Sequence, residues 1–117
     1  MKTPTIYGIK NCDTMKKAFR WLEGNALDYT FHDYKKQGLD EDVLTEAIKQ
    51  QGWENVINRR GTTWRNLTDD IKNTMDDEQA LSIAQDNPSI IKRPLLNYQG
   101  KIYLGFKDKE YADIFKR

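Results

Sequence analysis

Apolar residues along the chain switch between a period of two and a period near three and a half, and the order of those switches predicts the elements. The β-branched and aromatic run Thr5-Ile6-Tyr7 opens a strand. Met15, Ala18, Phe19 and Leu22 then fall at i, i+3, i+4 and i+7, with Lys16, Lys17, Arg20 and Glu23 on the opposite face. This predicts a helix that begins near Asp13, packs on a sheet and stops at Gly24. Leu27 to Tyr34 reads as a second strand, with Tyr29 and Phe31 on one face and Thr30 and a solvent-facing His32 on the other. Gly38 and Asp40 introduce a further helical stripe of Leu39, Val43, Leu44, Ala47 and Ile48, closed by Gly52. Trp53, Val56 and Ile57 suggest a short additional turn. Two more stripes follow (Leu67, Ile71, Met75; Ala80, Leu81, Ala84), broken around Asp76-Asp77, and Asn87-Pro88 is a cap-plus-first-residue signal for one last turn.

The period then returns to two. Pro94 to Tyr98 and Lys101 to Leu104 flank Gln99-Gly100, a two-residue turn that predicts an antiparallel hairpin, and a closing helix turns Tyr111, Ile114 and Phe115 inward. The sum is a single α/β domain over residues 1–117, β-α-β then β-β-α, in one mixed sheet with a helical insertion at about residues 39–91. That is thioredoxin-like topology.

Composition narrows the function. The 117 residues carry 19 basic and 18 acidic side chains, and a net charge of +1 gives no global pull toward nucleic acid or an anionic membrane. No apolar stretch is long enough to span a bilayer, and Met1-Lys2-Thr3-Pro4 runs straight into a strand without an apolar signal core, so a cytoplasmic location is expected. One cysteine forms no internal disulfide, and with a single histidine beside it no structural zinc site is expected.

That cysteine, Cys12, sits where the first strand turns into the first helix. Unpaired backbone N–H groups and the helix dipole favour negative charge at such a point. A thiol of pKa about 8.5 is roughly 3% thiolate at pH 7, whereas one lowered to about 6.5 is roughly three-quarters thiolate. Lone cysteines are more often buried hydrophobes than nucleophiles, but the polar flanks Lys10, Asn11 and Asp13 make this a poor place to bury one. Lys10, Lys16 and the helix amides are expected to hold the sulfur anionic, and Thr14 either donates to it or caps the helix. Asp13 needs no role beyond a first-turn acid.

Taken together, Thr5-Ile6-Tyr7 through Asn11-Cys12-Asp13-Thr14, Ile57-Asn58-Arg59-Arg60-Gly61 and Ile91-Lys92-Arg93-Pro94-Leu95 resemble, in order and spacing, the arsenate reductase (ArsC) and Spx family, most closely its small YffB-type branch. The resemblance covers essentially the whole chain. It implies a thioredoxin fold with a helical insert, a cis-proline at Pro94 and a catalytic cysteine assisted by arginines: Cys12, Arg59 and Arg93. Three departures argue against arsenate as the substrate. The third family arginine is missing from Gly105-Phe106-Lys107-Asp108, where Lys107 offers a point charge in place of a planar fork. Cys12-Asp13-Thr14-Met15 stands where arsenate reductases have Cys-Gly-Thr-Ser. Gly8 replaces a histidine in the loop before the cysteine.

The expectation is therefore a monothiol oxidoreductase in which Cys12 attacks a disulfide or electrophile and an outside thiol resolves the adduct. Glutathione is the expected co-substrate, with no tightly bound cofactor and no metal. Its two carboxylates suit guanidinium pairs from Arg59, Arg60, Arg65 and Arg93, and an extended peptide suits the main chain before Pro94. Taken alone, Arg59, Arg60 and Arg65 read as a solvated cluster; only the family spacing lifts Arg59. Two alternatives stay open: an arsenate reductase served by glutathione and glutaredoxin, and a non-enzymatic Spx-like protein that docks on RNA polymerase. Many Spx-like members carry Cys-x-x-Cys, and here the second position is Met15, which excludes an internal disulfide switch.

Overall fold

The structure is a computed structural model that describes residues 3–117; Met1 and Lys2, the start of the stretch read as lacking a signal core, lie outside the described residues. In chain order the elements are β1 (Thr5–Gly8), α1 (Asp13–Gly24), β2 (Thr30–Asp33), α2 (Tyr34–Gln37), α3 (Glu41–Gln51), α4 (Trp53–Val56), α5 (Thr62–Arg65) and α6 (Asp69–Asn73). There follow α7 (Asp77–Asp86), a 3-10 turn (Pro88–Ile90), β3 (Leu95–Tyr98), β4 (Lys101–Leu104) and α8 (Asp108–Phe115). They form two compact units, one of Met1–Gln37 with Arg93–Arg117 and one of Gly38–Lys92.

The first unit is a mixed sheet in the order β2-β1-β3-β4, with β1 parallel to β2 and antiparallel to β3, and β3 antiparallel to β4. This is the thioredoxin-like arrangement. Because side chains alternate across a strand, Ile6 and its register partner Leu96 share one face. Met15, Ala18 and Leu22 of α1 and Tyr111 and Phe115 of α8 close over that face as one apolar cluster. The helix approaches β1 very closely: a Cβ added to Gly8 would lie 2.6 Å from Met15 Sδ and 2.8 Å from Met15 Cε. The β3–β4 turn places Gln99 at φ 53° and Gly100 at φ 82°, the pair of positive angles that matches a tight turn to strand twist.

Four features of this unit depart from expectation. The second strand is shorter than Leu27–Tyr34: after α1 the chain stays tied to the helix by Leu27 N–H donating to the Leu22 carbonyl (2.9 Å), so pairing starts only at Thr30, whose N–H donates to the Pro4 carbonyl (2.9 Å). Gly24 is still helical, and the left-handed residue that turns the chain is Ala26 at φ 54°. Tyr34 leaves the strand to begin α2 because Asp33 Oδ1 accepts the Lys35 N–H (2.9 Å). His32 is not a bare surface residue; it is half-buried, its ring 4.9 Å from the ring of its strand neighbour Tyr7.

The Gly38–Lys92 unit is helical, and three of its helices, α3, α6 and α7, start at side-chain caps. Asp40, Thr68 and Asp76 accept the N–H groups of Val43 (3.2 Å), Ile71 (3.3 Å) and Gln79 (2.8 Å), and Gly52 ends α3 at φ 81°. Leu44, Ala47, Ile48, Val56, Ala80 and Ala84 are buried, whereas Leu67, Ile71, Met75 and Leu81 of the expected stripes are only half-buried. The turn α5 and an isolated bridge between Ile57 and Ile91 were not expected; single-residue pairing leaves no period to read. No helix among the described residues is long and apolar enough to cross a membrane.

Gly8→Ala tests the close approach of α1 to β1. The added methyl must displace a fully buried Met15, so stability should fall by about 1–3 kcal/mol in denaturant unfolding. Met15→Leu, which lacks the terminal methyl-sulfur reach, should recover part of the loss in the Gly8→Ala background.

Candidate functional site

Cys12 is the N-cap residue of α1, with extended backbone angles (φ −145°, ψ 128°), and its carbonyl accepts the first helical hydrogen bond from the Lys16 N–H (3.0 Å). Its side chain is half-buried and its thiol is free. Partial burial pushes the thiol up. Against it act the Met15 N–H, a hydrogen bond from the Arg93 side chain, the Thr14 N–H and the charge of Arg93, and together they hold the thiol below its ordinary value. The balance follows from the local fold: a residue at the cap faces amides that have no helical acceptor. Thr14 contributes through its main chain, and the cap position belongs to Cys12 itself.

Arg93 is half-buried, and the Arg93–Pro94 peptide is cis. Pro94 is fully buried, its carbonyl accepting the Gly105 N–H (2.9 Å) just ahead of β3. Cys12, Thr14, Arg93 and Pro94 thus belong to one place. Arg93 is the cation that lowers the thiol, whereas Lys10, Asn11 and Lys16 line a neighbouring cleft. The expectation that Lys10 and Lys16 hold the sulfur anionic therefore gives way to the guanidinium and the amides.

Arg59, Arg60 and Arg65 belong to the Gly38–Lys92 unit. Arg59 is exposed, its guanidinium 5.9 Å from the centre of the Trp53 ring, and Trp53 in turn stacks on Trp64 (6.1 Å). The Arg60 N–H donates to Asn58 Oδ1 (3.1 Å), a local turn that holds the Asn58-Arg59-Arg60 corner. Arg59, Arg60 and Lys92 line a polar groove of about 460 Å³ with Glu54 and Asn58. Arg65 ends α5, and its carbonyl accepts from Lys72 Nζ (3.4 Å).

Two residues near the site carry meaning that the sequence pattern hid. Phe106, in the segment where the family resemblance puts a third arginine, is half-buried with its ring 4.7 Å from Tyr111, which leaves exposed Lys107 as the cation there, at the N-cap of α8. Tyr111 is fully buried, and its hydroxyl has no hydrogen-bond partner among the described residues. Burial and the neighbouring Glu110 push its phenol well up. Among the described residues no group of three His, Cys, Asp or Glu side chains converges as a metal site.

Comparison with known proteins fits this geometry. The ArsC family pattern matches residues 7–114. A solved YffB protein is similar with 44% identity and a TM-score of 0.90, covering 95% of this chain and 97% of its own. An arsenate reductase (ArsC) related protein from Brucella melitensis is 49% identical with a TM-score of 0.79, covering 99% and 97%. The global transcriptional regulator Spx of Staphylococcus saprophyticus is 26% identical over 115 residues, 97% of this chain and 87% of that protein. With a match that spans the strand before Cys12 through the last helix, the chain belongs to the ArsC family.

Proposed function

We propose that this protein is a cytoplasmic monothiol oxidoreductase that uses Cys12 as nucleophile and glutathione as the resolving thiol. The observation that carries the reading is the half-buried Cys12 thiol at the start of α1, lowered by two helix amides and Arg93. In the first step the Cys12 thiolate attacks one sulfur of a disulfide RS–SG. A Cys12–SG bond forms, the RS–SG bond breaks, and RS⁻ leaves with the electron pair and takes a proton from solvent. Glutathione thiolate then attacks the glutathionyl sulfur of the adduct, forming oxidised glutathione and returning Cys12 as thiolate. The net change is RSSG + GSH → RSH + GSSG.

No second cysteine exists in the chain, so the outside thiol is a chemical requirement of this scheme. Arg93 orients the attacked sulfur, and the extended main chain ahead of Pro94 offers backbone pairing to the tripeptide. The family pattern gives Arg59 a part in ligand binding, and the pairing of Arg59, Arg60 and Arg65 with ligand carboxylates is our addition to it. Lys10 and Asn11 contact the ligand beside the thiol. Glutaredoxin is a second acceptor of the adduct. The similarity to Spx supports a rival reading, a partner-binding protein that docks on RNA polymerase, and Met15 in place of a second thiol weighs against a redox sensor of that kind.

Cys12→Ser should abolish glutathione-coupled reduction of a mixed disulfide while leaving the circular dichroism spectrum unchanged; turnover that survives the change sinks the mechanism. Because the thiol lies below its ordinary value, the rate of reaction with a disulfide should rise with pH through the Cys12 titration and level off above it. Arg93→Ala should move that rise to higher pH and slow the reaction at neutral pH by about ten- to a hundredfold, the equivalent of one charge-assisted hydrogen bond. An unchanged pH profile, read by thiol absorbance, would assign the lowering to the amides alone.

A further inference from the structure

The loop before Cys12 and the first turns of α1 border a cleft of about 400 Å³ whose aromatic residues have no part in the thiol exchange proposed above. Its floor is aromatic. Phe19 stacks on Tyr29 (5.3 Å, 11° between planes) and meets Phe31 edge-on (5.0 Å), and all three rings are only half-buried. They stay accessible because β2 is the outer strand of the sheet, so no further strand extends the surface beneath α1. The Tyr29 hydroxyl donates to Glu23 Oε2 (2.8 Å), a carboxylate outside the lining, which keeps the ring in place.

The rim is cationic. Lys10, Lys16 and Lys36 are exposed side chains on the lining, from the loop, α1 and α2 respectively. The one acid in the lining, Asp33, is 6% exposed and turned to local work: its Oδ1 accepts the Lys35 N–H, while its own N–H donates to Gln37 Oε1 (3.1 Å). A floor of π-faces under a ring of ammonium groups complements a flat apolar body that carries negative charge. The volume lies at the lower end of the range for small-molecule sites, which suits one aromatic ring with its substituents and not a folded partner. Asn11, next to Cys12 in the chain, and Lys16, in the first turns of α1, both line the cleft, which brings it to the end of α1 that carries the thiol.

We infer that this cleft is a specificity pocket for a small aromatic carboxylate, which seats the leaving half of the disulfide attacked by Cys12. The cleft itself stands on the geometry above; its link to the leaving group rests on the thiol exchange proposed for Cys12. The substrate class is then a disulfide between glutathione and an aromatic thiol bearing an acid group. On attack, a bond forms between Cys12 and the glutathionyl sulfur, the disulfide bond breaks, and the aromatic thiolate departs with the electron pair to take a proton from solvent while the cleft holds its carboxylate.

Binding is tested apart from chemistry with the Cys12→Ser protein and 4-nitrobenzoate in equilibrium dialysis. Saturable binding that weakens about tenfold in Lys36→Glu and is absent for benzylammonium supports the pocket; equal binding of both probes, or none of the anion, overturns it. The link to Cys12 is tested with the native thiol and two disulfides, 5,5′-dithiobis(2-nitrobenzoate) and the neutral hydroxyethyl disulfide. The ratio of their rates should fall about tenfold in Lys36→Glu, with Phe31→Leu as a second variant that lowers the same ratio. A ratio unchanged in both variants overturns the assignment of the cleft to the leaving group. A Cys12 that reacts with neither disulfide overturns the oxidoreductase reading, and with it this link, while the dialysis result decides the pocket.

Discussion

The placement of Met15 over Gly8 is the constraint from which the rest of the site follows. A side chain at position 8 would meet the Met15 sulfur and terminal methyl, the end of a buried side chain that would then have to shift. The helix that carries Met15 begins at Asp13, so Cys12 at its cap meets the unpaired amides of the first turn. Two departures from the arsenate reductase pattern, glycine for histidine before the cysteine and methionine three residues after it, thus become one packing event. The methionine fills the space that the glycine leaves. The same event removes a second thiol position and an imidazole from the neighbourhood of the sulfur.

With α1 fixed, the electrostatics of Cys12 reduce to a contest between desolvation and local donors. Burial works against the thiolate, and amides from residues two and three places further on, with the Arg93 guanidinium, work for it. The donors come from two elements, the amides from the first turn of α1 and the guanidinium from a residue joined to buried Pro94 just ahead of β3. An arrangement of this kind favours a nucleophile whose charge is stabilised before substrate arrives. It differs from an oxyanion clamp, since Lys107, not an arginine, stands at the mouth of α8.

Much of this was legible in the residues. The stripes of α1 and α3, the Asn87-Pro88 signal for the last turn, the Gln99-Gly100 hairpin and the lone thiol between strand and helix all follow from short-range rules, and each appears within a few residues of its expected place. The failures have physical causes. The late start of β2 after α1 turns on Ala26 in a left-handed conformation, which sequence assigns to glycine or asparagine first. Phe19 belongs to the apolar stripe of α1 by period, yet it faces the sheet edge and stays half-buried; period marks a face, not how completely a neighbour covers it. The contact of Arg93 with the sulfur joins residues 81 positions apart, so only the family pattern pointed to it. The aromatic cleft draws on a helix, a strand and a turn at once, and no linear motif announces it.

Both margins of the sheet are formed by four-residue strands, β2 and β4. The chain leaves β2 directly into a turn bearing Lys35 and Lys36, and β4 begins at the exposed Lys101. Unsatisfied peptide groups along a strand margin invite pairing with another chain, but a run this short, flanked by ammonium groups, supplies a poor template for amyloid-like growth. The brevity of these strands is thus a safeguard against aggregation, and Lys36 serves both that margin and the aromatic cleft.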